Sequence, residues 1–433
     1  MQLSEEQVLA LAPDESSKKS GKELSNPAKW VSKGVNEVAL WGECQGSGSK
    51  PYQTQVDTVN IAFKCSCPSR KFPCKHGVGL LLLYARSKSD FTSSDMPAWV
   101  ADWINKRSER QEKQATQKEK PVDEAAQAKR RQAREQKVGD GIEELLQWIK
   151  DIIRNGIIGM PEKGSGWFEG MARRMVDAQA PGLANMIKGL GEINFYRDGW
   201  QTEFIDQLLR LYLVITGYKN SESLPALLQQ DLRTWIGFTQ NQDELKEQPG
   251  LTDTWLVLGK QVTEEDNITV ERNWLYGTTS DQYALVLQFL VRGQGGQLAL
   301  TPGLFVQAEL VFYPSVVPLR AIVKQQLNTE KIQPCKGFSN WQQVVEAETD
   351  YSSALPFRNE RPFIIEQVRP VFYSQQWWLQ DANNAMMSIK SEFKSIWKLL
   401  SLSGGDALNM AVVGKEKAYE PFGVWYQNEY TIL

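Results

Sequence analysis

One short stretch constrains this chain more than any other, because it gathers the residue types that bind soft metal ions. From position 63 to 76 the sequence reads FKCSCPSRKFPCKH and contains Cys65, Cys67, Cys74 and His76. These are three of the chain's five cysteines and its only histidine. Written as spacing, the pattern is C-x-C, six residues, then C-x-H.

Three thiolates and one imidazole form the ligand set that tetrahedral zinc prefers in closed structural sites. Pro68 and Pro73 lower the entropy lost when the intervening loop closes, and the apolar run from Gly77 to Tyr84 predicts a helix that begins near His76. A disulfide framework is typical of secreted chains with paired cysteines, and a redox motif would read C-x-x-C. We therefore predict one structural zinc ion, Zn2+, held by these four side chains.

The same four ligands resemble the signature of the SWIM zinc-finger family, which is C-x-C, a variable spacer and C-x-H. The segment from Gly46 to Tyr52 is also similar to the residues that precede the knuckle in bacterial members. The close resemblance covers residues 25–90, and the rest of the chain is more loosely similar to bacterial SWIM proteins of this length. SWIM modules are nucleic-acid-binding or protein-binding adaptors, so the resemblance implies a binding role. Bacterial SWIM proteins of this layout resemble accessory components that are encoded beside a MoxR-type AAA+ ATPase and a von Willebrand factor A domain protein. The resemblance therefore implies these two proteins as partners.

Composition and charge narrow the class of protein. The chain has 433 residues and a formal net charge of −3, which gives no overall attraction to nucleic acid. The first residues, MQLSEEQVLALAPDESS, lack a secretory pattern, and no run of 18 apolar residues would cross a bilayer. We expect a cytoplasmic protein with reduced thiols and no membrane partner.

The pattern along the chain predicts an α+β fold in four parts. Residues 1–104 should form the zinc-binding domain, a ββα unit with strands around Val35–Trp41 and Gln53–Phe63, preceded by a short helix and a polar segment. Residues 105–137 hold eleven Lys or Arg against six Asp or Glu and hardly any large apolar side chains, which predicts a charged linker, partly helical at best. Residues 138–245 should form a bundle of four to six helices, and 246–433 a β-rich α+β domain of mainly antiparallel strands.

Two binding functions remain open. The favoured hypothesis is a non-enzymatic adaptor for protein–protein contacts, in which the zinc knuckle is a rigid recognition surface. The alternative is a DNA- or RNA-binding protein, because basic residues surround the zinc ligands and two phenylalanines could stack on bases. The basic residues are Lys64, Arg70, Lys71 and Lys75, the phenylalanines are Phe63 and Phe72, and a further basic arm at Lys129–Arg131 and Arg134 could contact phosphates.

The sequence offers little for catalysis. With His76 committed to zinc, no histidine is left as a general base, and no phosphate-binding loop is present. We therefore expect no enzymatic activity. A third hypothesis is a metal-dependent nuclease, because Asp381, Glu392 and Lys394 fit a D-x10-E-x-K spacing. Cys44 and Cys335 are typical small core residues, although Cys44 could lie near the metal.

Overall fold

The fold is described here from a computed structural model. The structure describes residues 5–46, 48, 50–58, 62–69, 71, 73–93, 95–116, 124–265, 268–291, 300–329, 335–357, 360–427 and 429–433. Along these ranges the chain forms an N-terminal α/β unit, a helical bundle and two β-barrels. The predicted α+β fold is confirmed.

The N-terminal unit is a five-stranded sheet with helices on both faces. Its helices are α1 (Glu5–Ala10), α2 (Glu15–Leu24), α3 (Lys75–Arg86) and α4 (Ala98–Thr116). Its strands are β1 (Trp30–Val35), β2 (Ala39–Cys44), β3 (Tyr52–Asp57), β4 (Ala62–Cys65) and β5 (Thr92–Ser93), arranged in the order β4-β3-β2-β1-β5. Strands β1 to β4 form an antiparallel meander, and β5 pairs in parallel with β1.

The two faces of this sheet bury different helices because side chains alternate along a strand. Leu40 of β2 belongs to a core with Val78 and the buried leucines of α3. Its neighbours on β2, Ala39 and Trp41, point to the opposite face and pack with Val100 of α4. Helix α3 therefore lies on one face of the sheet and α4 on the other.

Two expectations for this unit are only partly met. The segment predicted as one strand, Val35–Trp41, contains the end of β1, a turn at 36–38 and the start of β2, because the side chain of Asn36 accepts hydrogen bonds from the backbone N–H groups of Val38 and Ala39. The unit thus has a meander of four strands rather than two. The polar segment near the N-terminus folds as α2, which begins where Asp14 accepts a hydrogen bond from the backbone N–H of Ser17 at 2.7 Å.

A helical bundle follows, and the prediction of four to six helices is confirmed. The helices are α5 (Glu124–Asn155), α6 (Gly164–Asp177), α7 (Pro181–Gly191), α8 (Trp200–Lys219), α9 (Ala226–Ile236) and the short α10 (Gln242–Lys246). Helices α5 to α9 share one core, because each presents apolar residues at helical spacing toward the others. Its fully buried members include Leu145, Phe168, Leu183, Phe204 and Leu232.

The segment predicted as a charged linker is more helical than expected. Its residues 105–116 belong to α4 and its residues 124–137 to α5, while 117–123 lie outside the described residues. The expectation of a segment that is partly helical at best is wrong for the described part. Side chains such as that of Arg134, which donates to the backbone oxygen of Gly237 at 2.9 Å, attach the polar start of α5 to the bundle.

The first barrel closes five strands into a ring. They are β6 (Leu251–Glu265), β7 (Ile268–Gly277), β8 (Tyr283–Val291), β9 (Phe305–Phe312) and β10 (Arg320–Thr329), in the order β10-β8-β7-β6-β9. Only the β8–β10 pair within this ring is parallel. Trp255, Leu275, Val286 and Leu310 are among the residues that fill the interior.

The second barrel repeats this connectivity. Its elements are α11 (Trp341–Ala354), β11 (Arg361–Tyr373), β12 (Gln376–Gln380), β13 (Met386–Ile389), α12 (Ile396–Ser403), β14 (Leu408–Lys415), β15 (Ala418–Tyr426) and β16 (Glu429–Ile432). A parallel β13–β15 pairing joins the ends of the sheet, so that β11-β12-β13-β15-β14 form a ring, with β16 added beside β15. In both barrels three strands form a meander, the fourth pairs with the first, and the fifth runs parallel to the third. This is the Greek-key connectivity of the OB-fold.

The mainly antiparallel C-terminal half is thus confirmed, although its two ring closures were not predicted. Polar contacts attach the barrels to the helical bundle. The backbone N–H of Val316 donates to Asp231 of α9 at 2.9 Å, and Arg210 of α8 lies 3.3 Å from Glu416 in the second barrel. Across the described ranges, no helix combines the length and apolar character needed to cross a membrane.

Candidate metal centre

The end of one strand and the start of one helix position the four predicted zinc ligands. Cys65 is the last residue of β4, and Cys67 follows in the loop. Cys74 is the N-cap residue of α3, and His76 lies in its first turn, as predicted. Gly77 lets the helix approach the strand closely, because a Cβ there would lie 2.9 Å from the ring of Phe63.

The structure brings all four ligands together. Their ligand atoms lie within 4.8 Å of one another. The Sγ of Cys65 is 3.7 Å from Nδ1 of His76, and the Sγ of Cys74 is 4.0 Å from the same nitrogen. Around a tetrahedral zinc ion, a sulfur and a nitrogen ligand lie about 3.5 Å apart, given bonds of about 2.3 Å to sulfur and about 2.0 Å to nitrogen. The cluster is therefore close to the dimensions of a tetrahedral site.

Hydrogen bonds and burial shift the pKa values of these groups. Hydrogen bonds from Cys65 and Cys74 lower the pKa of the Cys67 thiol, and hydrogen bonds with Cys65 and Cys67, together with burial, raise the pKa of Cys74. Burial lowers the pKa of His76, but hydrogen bonds to Cys65 and Cys67 outweigh it and raise that pKa to about 9. Zinc would displace the protons of Cys74 and His76, because it binds thiolates and neutral imidazole.

Two neighbours of the ligands were not identified from the sequence. The hydroxyl of Thr54 lies 3.1 Å from the Sγ of Cys65, and the ring of Tyr52 lies 5.0 Å from that of His76. Both residues belong to β3, and Thr54 is the strand partner of Cys65 in the β3–β4 ladder. Groups behind the ligands orient them. The strand register, rather than any local motif, determines their position.

The donor set and the dimensions of the cage fit one zinc ion. Three sulfurs and one nitrogen fill a tetrahedron, so the site has the character of a closed structural centre. His76 and Cys74 are buried, and Cys65 and Cys67 are half-buried. Zinc bound here would join the end of β4 to the start of α3 and so stabilise the N-terminal unit.

The basic residues around the knuckle do not form a uniform patch. Lys64 on β4 and Lys75 on α3 are exposed, whereas Lys71 pairs with Asp14 at 2.7 Å. Arg70 lies outside the described residues. The pairing was not visible in the sequence, because Asp14 precedes the knuckle by more than fifty positions. The described part of this surface therefore carries less free positive charge than its sequence indicated.

The stacking role predicted for Phe63 is wrong. Its ring is buried in the core under α3, where it packs with Leu40 and Val56. Phe72, the other predicted stacking residue, lies outside the described residues. A base could not reach the ring of Phe63 without opening this core.

The nuclease pattern gains no support from the position of its aspartate. Asp381 is buried, and its carboxylate accepts hydrogen bonds from the backbone N–H groups of Trp341, Asn383 and Ala385. It therefore holds the start of α11 and a turn. Glu392 and Lys394 lie in the turn before α12, which begins at Ile396. Among the described residues, metal-ligating side chains cluster at the zinc knuckle, and Asp381 belongs to no such cluster.

The two remaining cysteines are both shielded. Burial raises the pKa of Cys44 to about 11 and that of Cys335 to about 12. Cys44 ends β2, where it is fully buried, and its pKa also responds to the nearby Cys65. Both thiols therefore stay protonated at neutral pH. This is consistent with the predicted role as core residues.

The predicted basic arm borders a cleft of about 680 Å³ beside the helical bundle. Arg134 lies 4.5 Å from the ring centroid of Phe238, and Arg233 lies 4.0 Å from the same centroid. Arg233 is paired with Glu135 at 2.7 Å, and Arg134 donates to backbone oxygens. Arg131 is exposed at the rim. Arg134 of the predicted arm therefore holds helices together, whereas Lys129, Arg130 and Arg131 are exposed.

Comparison with known proteins places two regions of the chain. Residues 52–85 match the family described as SWIM zinc finger, and this matched range includes all four ligands. Residues 133–236 match the family described as SWIM-associated four-helix bundle domain. This matched range begins within α5 and ends with α9. Searches of curated proteins and of solved structures found no match.

Proposed function

We propose, from the matches to the SWIM zinc finger and to the SWIM-associated four-helix bundle domain, that this chain is a non-enzymatic adaptor that mediates protein–protein contacts. The zinc knuckle would then be a structural element that keeps the N-terminal unit folded. The zinc site supports this role, because four protein ligands leave no coordination position for a substrate.

An exposed apolar stripe on α8 carries the proposal. Leu209, Tyr212 and Leu213 recur at helical spacing on one face of the helix and are all exposed, Leu209 by 57%. Three large apolar side chains on one face of a helix are more than the single exposed ones that soluble proteins normally have. The remaining faces of α8 pack into the bundle core through residues such as Phe204 and Leu211. The stripe is therefore available to a partner protein.

The resemblance to bacterial SWIM proteins supplies the finer proposal about partners. A MoxR-type AAA+ ATPase and a von Willebrand factor A domain protein are the candidates, and an adaptor between them would work in the cytoplasm. This part rests on the resemblance alone. DNA or RNA binding by the knuckle is the competing function, which the Lys71–Asp14 pair and the burial of Phe63 make less favourable.

Affinity capture from native cells tests the adaptor role. Wild-type protein should capture partner proteins that remain after nuclease treatment. Leu209→Asp should weaken capture at least about tenfold, because a carboxylate would be buried at an apolar interface. The matched control is Val31→Asp, since Val31 is 65% exposed on β1, outside the bundle.

Two outcomes would contradict the proposal. If nuclease removes every partner, the contacts run through nucleic acid and the knuckle hypothesis gains. If Leu209→Asp and Val31→Asp capture the same set at the same level, α8 is not the docking surface. Zinc content and the thermal unfolding midpoint of each variant show that the fold is intact.

A further inference from the structure

The two barrels share one connectivity, so equivalent surfaces can be compared between them. In each ring, the second and third strands form one outward face: β7 and β8 in the first barrel, β12 and β13 in the second. Barrels of this connectivity bind extended ligands on that face. The two faces differ in how far they are exposed to solvent.

The second barrel covers the part of this face that carries Trp274, Tyr276 and Tyr283, whereas Phe289 at the far end of β8 is 53% exposed. Trp274, Tyr276 and Tyr283 pack against outward residues of β11, β14 and β15, namely Ile364, Ala411, Val413 and Phe422. The hydroxyl of Tyr283 accepts a hydrogen bond from the backbone N–H of Ile364 at 3.0 Å. These three aromatic side chains are therefore used for packing between the barrels.

The equivalent face of the second barrel is open. Side chains alternate along β11 and β12, so that Val368, Pro370 and Leu379 point inward and are buried. The residues between them point outward. On β11 to β13, counted from Arg369, all eight outward side chains are exposed or half-buried. They are Arg369, Val371, Tyr373, Gln376, Trp378, Gln380, Met386 and Ser388, all within the described residues.

The open face carries two aromatic rings at neighbouring positions. Trp378 is the strand partner of Val371, and Tyr373 lies diagonally across from it, about 7–8 Å away by strand geometry. Tyr373 is 62% exposed. The indole N–H of Trp378 donates to the backbone oxygen of Tyr373 at 3.1 Å, which holds the indole close to the β11–β12 turn. Two rings at this spacing can each stack on one base of a single strand.

Among the eight outward residues of the open face, Arg369 is positively charged and none is acidic. Arg369 donates from Nε and Nη2 to Oε1 of Gln380, at 3.0 and 2.8 Å, which places the guanidinium along the strands. The nearby carboxylate of Asp381 is buried and accepts backbone N–H groups. Lys417 is a further exposed cation. It lies at the edge of this face, because its backbone oxygen accepts hydrogen bonds from the backbone N–H and the hydroxyl of Ser388.

We propose that this outward face of β11, β12 and β13 binds single-stranded nucleic acid. Bases stack on Trp378 and Tyr373, and Arg369 and Lys417 contact phosphates. The site lies outside the zinc knuckle and outside the α8 stripe, so this inference goes beyond the proposed adaptor role. An adaptor with both surfaces would bring a protein partner to a single strand.

Fluorescence anisotropy with a labelled dT20 oligonucleotide and the full-length protein tests the site. We expect saturable binding in the micromolar range at about 100 mM salt. Trp378→Ala and Tyr373→Ala should each weaken binding about tenfold, because each removes one stacking platform. Arg369→Gln should reduce the salt slope by about 0.7, the value for one phosphate contact on a single strand.

Matched control variants show whether binding depends on this face. Trp397 is 75% exposed on α12, off the strand face, so Trp397→Ala should bind as wild type does. Val31→Asp should also bind dT20 normally, because Val31 lies on β1 of the N-terminal unit. Unchanged zinc content and thermal unfolding show that each variant is folded, and the well exposed Tyr373 provides a second variant should Trp378→Ala not fold.

Three results would overturn the proposal. The first is no binding of dT20 at roughly 100 µM wild-type protein, the weak end of the usual non-specific range. The second is equal competition by a 20-base-pair duplex, whose stacked bases cannot reach the rings. The third is binding that Lys64→Ala and Lys75→Ala abolish while Trp378→Ala and Tyr373→Ala leave it unchanged, because the contact would then belong to the knuckle.

Discussion

His76 and the three cysteines illustrate how single residues determine the N-terminal unit. Each of the four is held by the backbone of β4, the following loop or the first turn of α3. Without a metal, burial lowers the pKa of His76, but hydrogen bonds with Cys65 and Cys67 outweigh it and raise that pKa to about 9. A group with a raised pKa in the folded state keeps its proton near neutral pH, so zinc must compete with protons for this site.

Metal removal tests this residue-scale account. Purified protein should carry one zinc ion per chain, and Cys67→Ser or His76→Ala should lose most of it. Zinc contributes on the order of 10–16 kcal/mol of apparent folding free energy in modules of this kind. The N-terminal unit should therefore unfold on chelation, and it should lose zinc more easily as the pH falls and the ligands become protonated. Elemental analysis and circular dichroism during chelation measure both effects.

Cys335→Ala is the matched control for the zinc measurement. It removes a cysteine that lies outside the cage, packed beside the core between the two barrels, so the zinc content should stay at one per chain. Undamaged wild-type protein that contains no zinc would contradict the assignment of the site.

At the scale of elements, α5 connects the charged segment to the bundle. Its second half is amphipathic, with Ile142, Leu145 and Ile149 buried. Its first half is polar, and Arg134 attaches it by donating to the backbone oxygens of Gln179 and Gly237. These carbonyls lie just beyond the C-terminal ends of α6 and α9. One side chain therefore satisfies acceptors that neither helix can satisfy itself.

Arg134→Ala should destabilise the helical bundle by roughly 2–3 kcal/mol. It removes charged hydrogen bonds to two carbonyls and a cation–π contact with Phe238. Urea unfolding followed by tryptophan fluorescence measures the loss. Arg130→Ala is the control, because Arg130 is exposed on the same helix, and it should change stability by less than about 0.5 kcal/mol. Equal stability of the two variants would show that Arg134 is not an anchor.

At the scale of the whole molecule, the C-terminal half depends on close packing between the two barrels. Gly259 of β6 lies directly against Phe422 of β15, where a Cβ would be 2.4 Å from the phenylalanine ring. Nearby, Gln261 donates to Glu420 at 2.7 Å, and the hydroxyl of Tyr430 donates to the backbone oxygen of Leu258 at 2.6 Å. The interface is thus both apolar and hydrogen-bonded.

Gly259→Val should destabilise the C-terminal half by about 1–3 kcal/mol or more, because the added side chain overlaps the ring of Phe422. Denaturant unfolding measures this change. Gly170→Ala in α6 is the comparison, since a Cβ there would meet nothing within 4 Å and should stabilise the helix slightly. If Gly259→Val unfolds at the same denaturant concentration as wild type, the barrels are not packed as described.

Local chemistry determined what the sequence alone could predict. The zinc ligands were identified because three cysteines and a histidine at short spacing can close a cage with little help from the rest of the chain. The helical bundle was identified because apolar residues at 3.6-residue spacing favour helices that share a core. The alternating segments after residue 250 indicated mainly antiparallel strands for the same local reason.

Tertiary structure decided the features that depend on residues far apart in the chain. The Lys71–Asp14 pair and the burial of Phe63 reduce the basic, aromatic surface expected at the knuckle. The anchored start of α5 depends on carbonyls of α6 and α9 that no pattern within 105–137 could reveal.

The barrels show this division most clearly. Period-two alternation indicates which residues form strands, but it does not determine which strands pair. The parallel pairs β8–β10 and β13–β15 close the two rings, and each pair joins strands that are not consecutive in the chain. Only the folded chain therefore decides that Trp274, Tyr276 and Tyr283 of the first barrel are buried, while Tyr373 and Trp378 of the second barrel lie on an open face. The physical reason is that burial is a property of the packed surface, whereas propensity is a property of the segment.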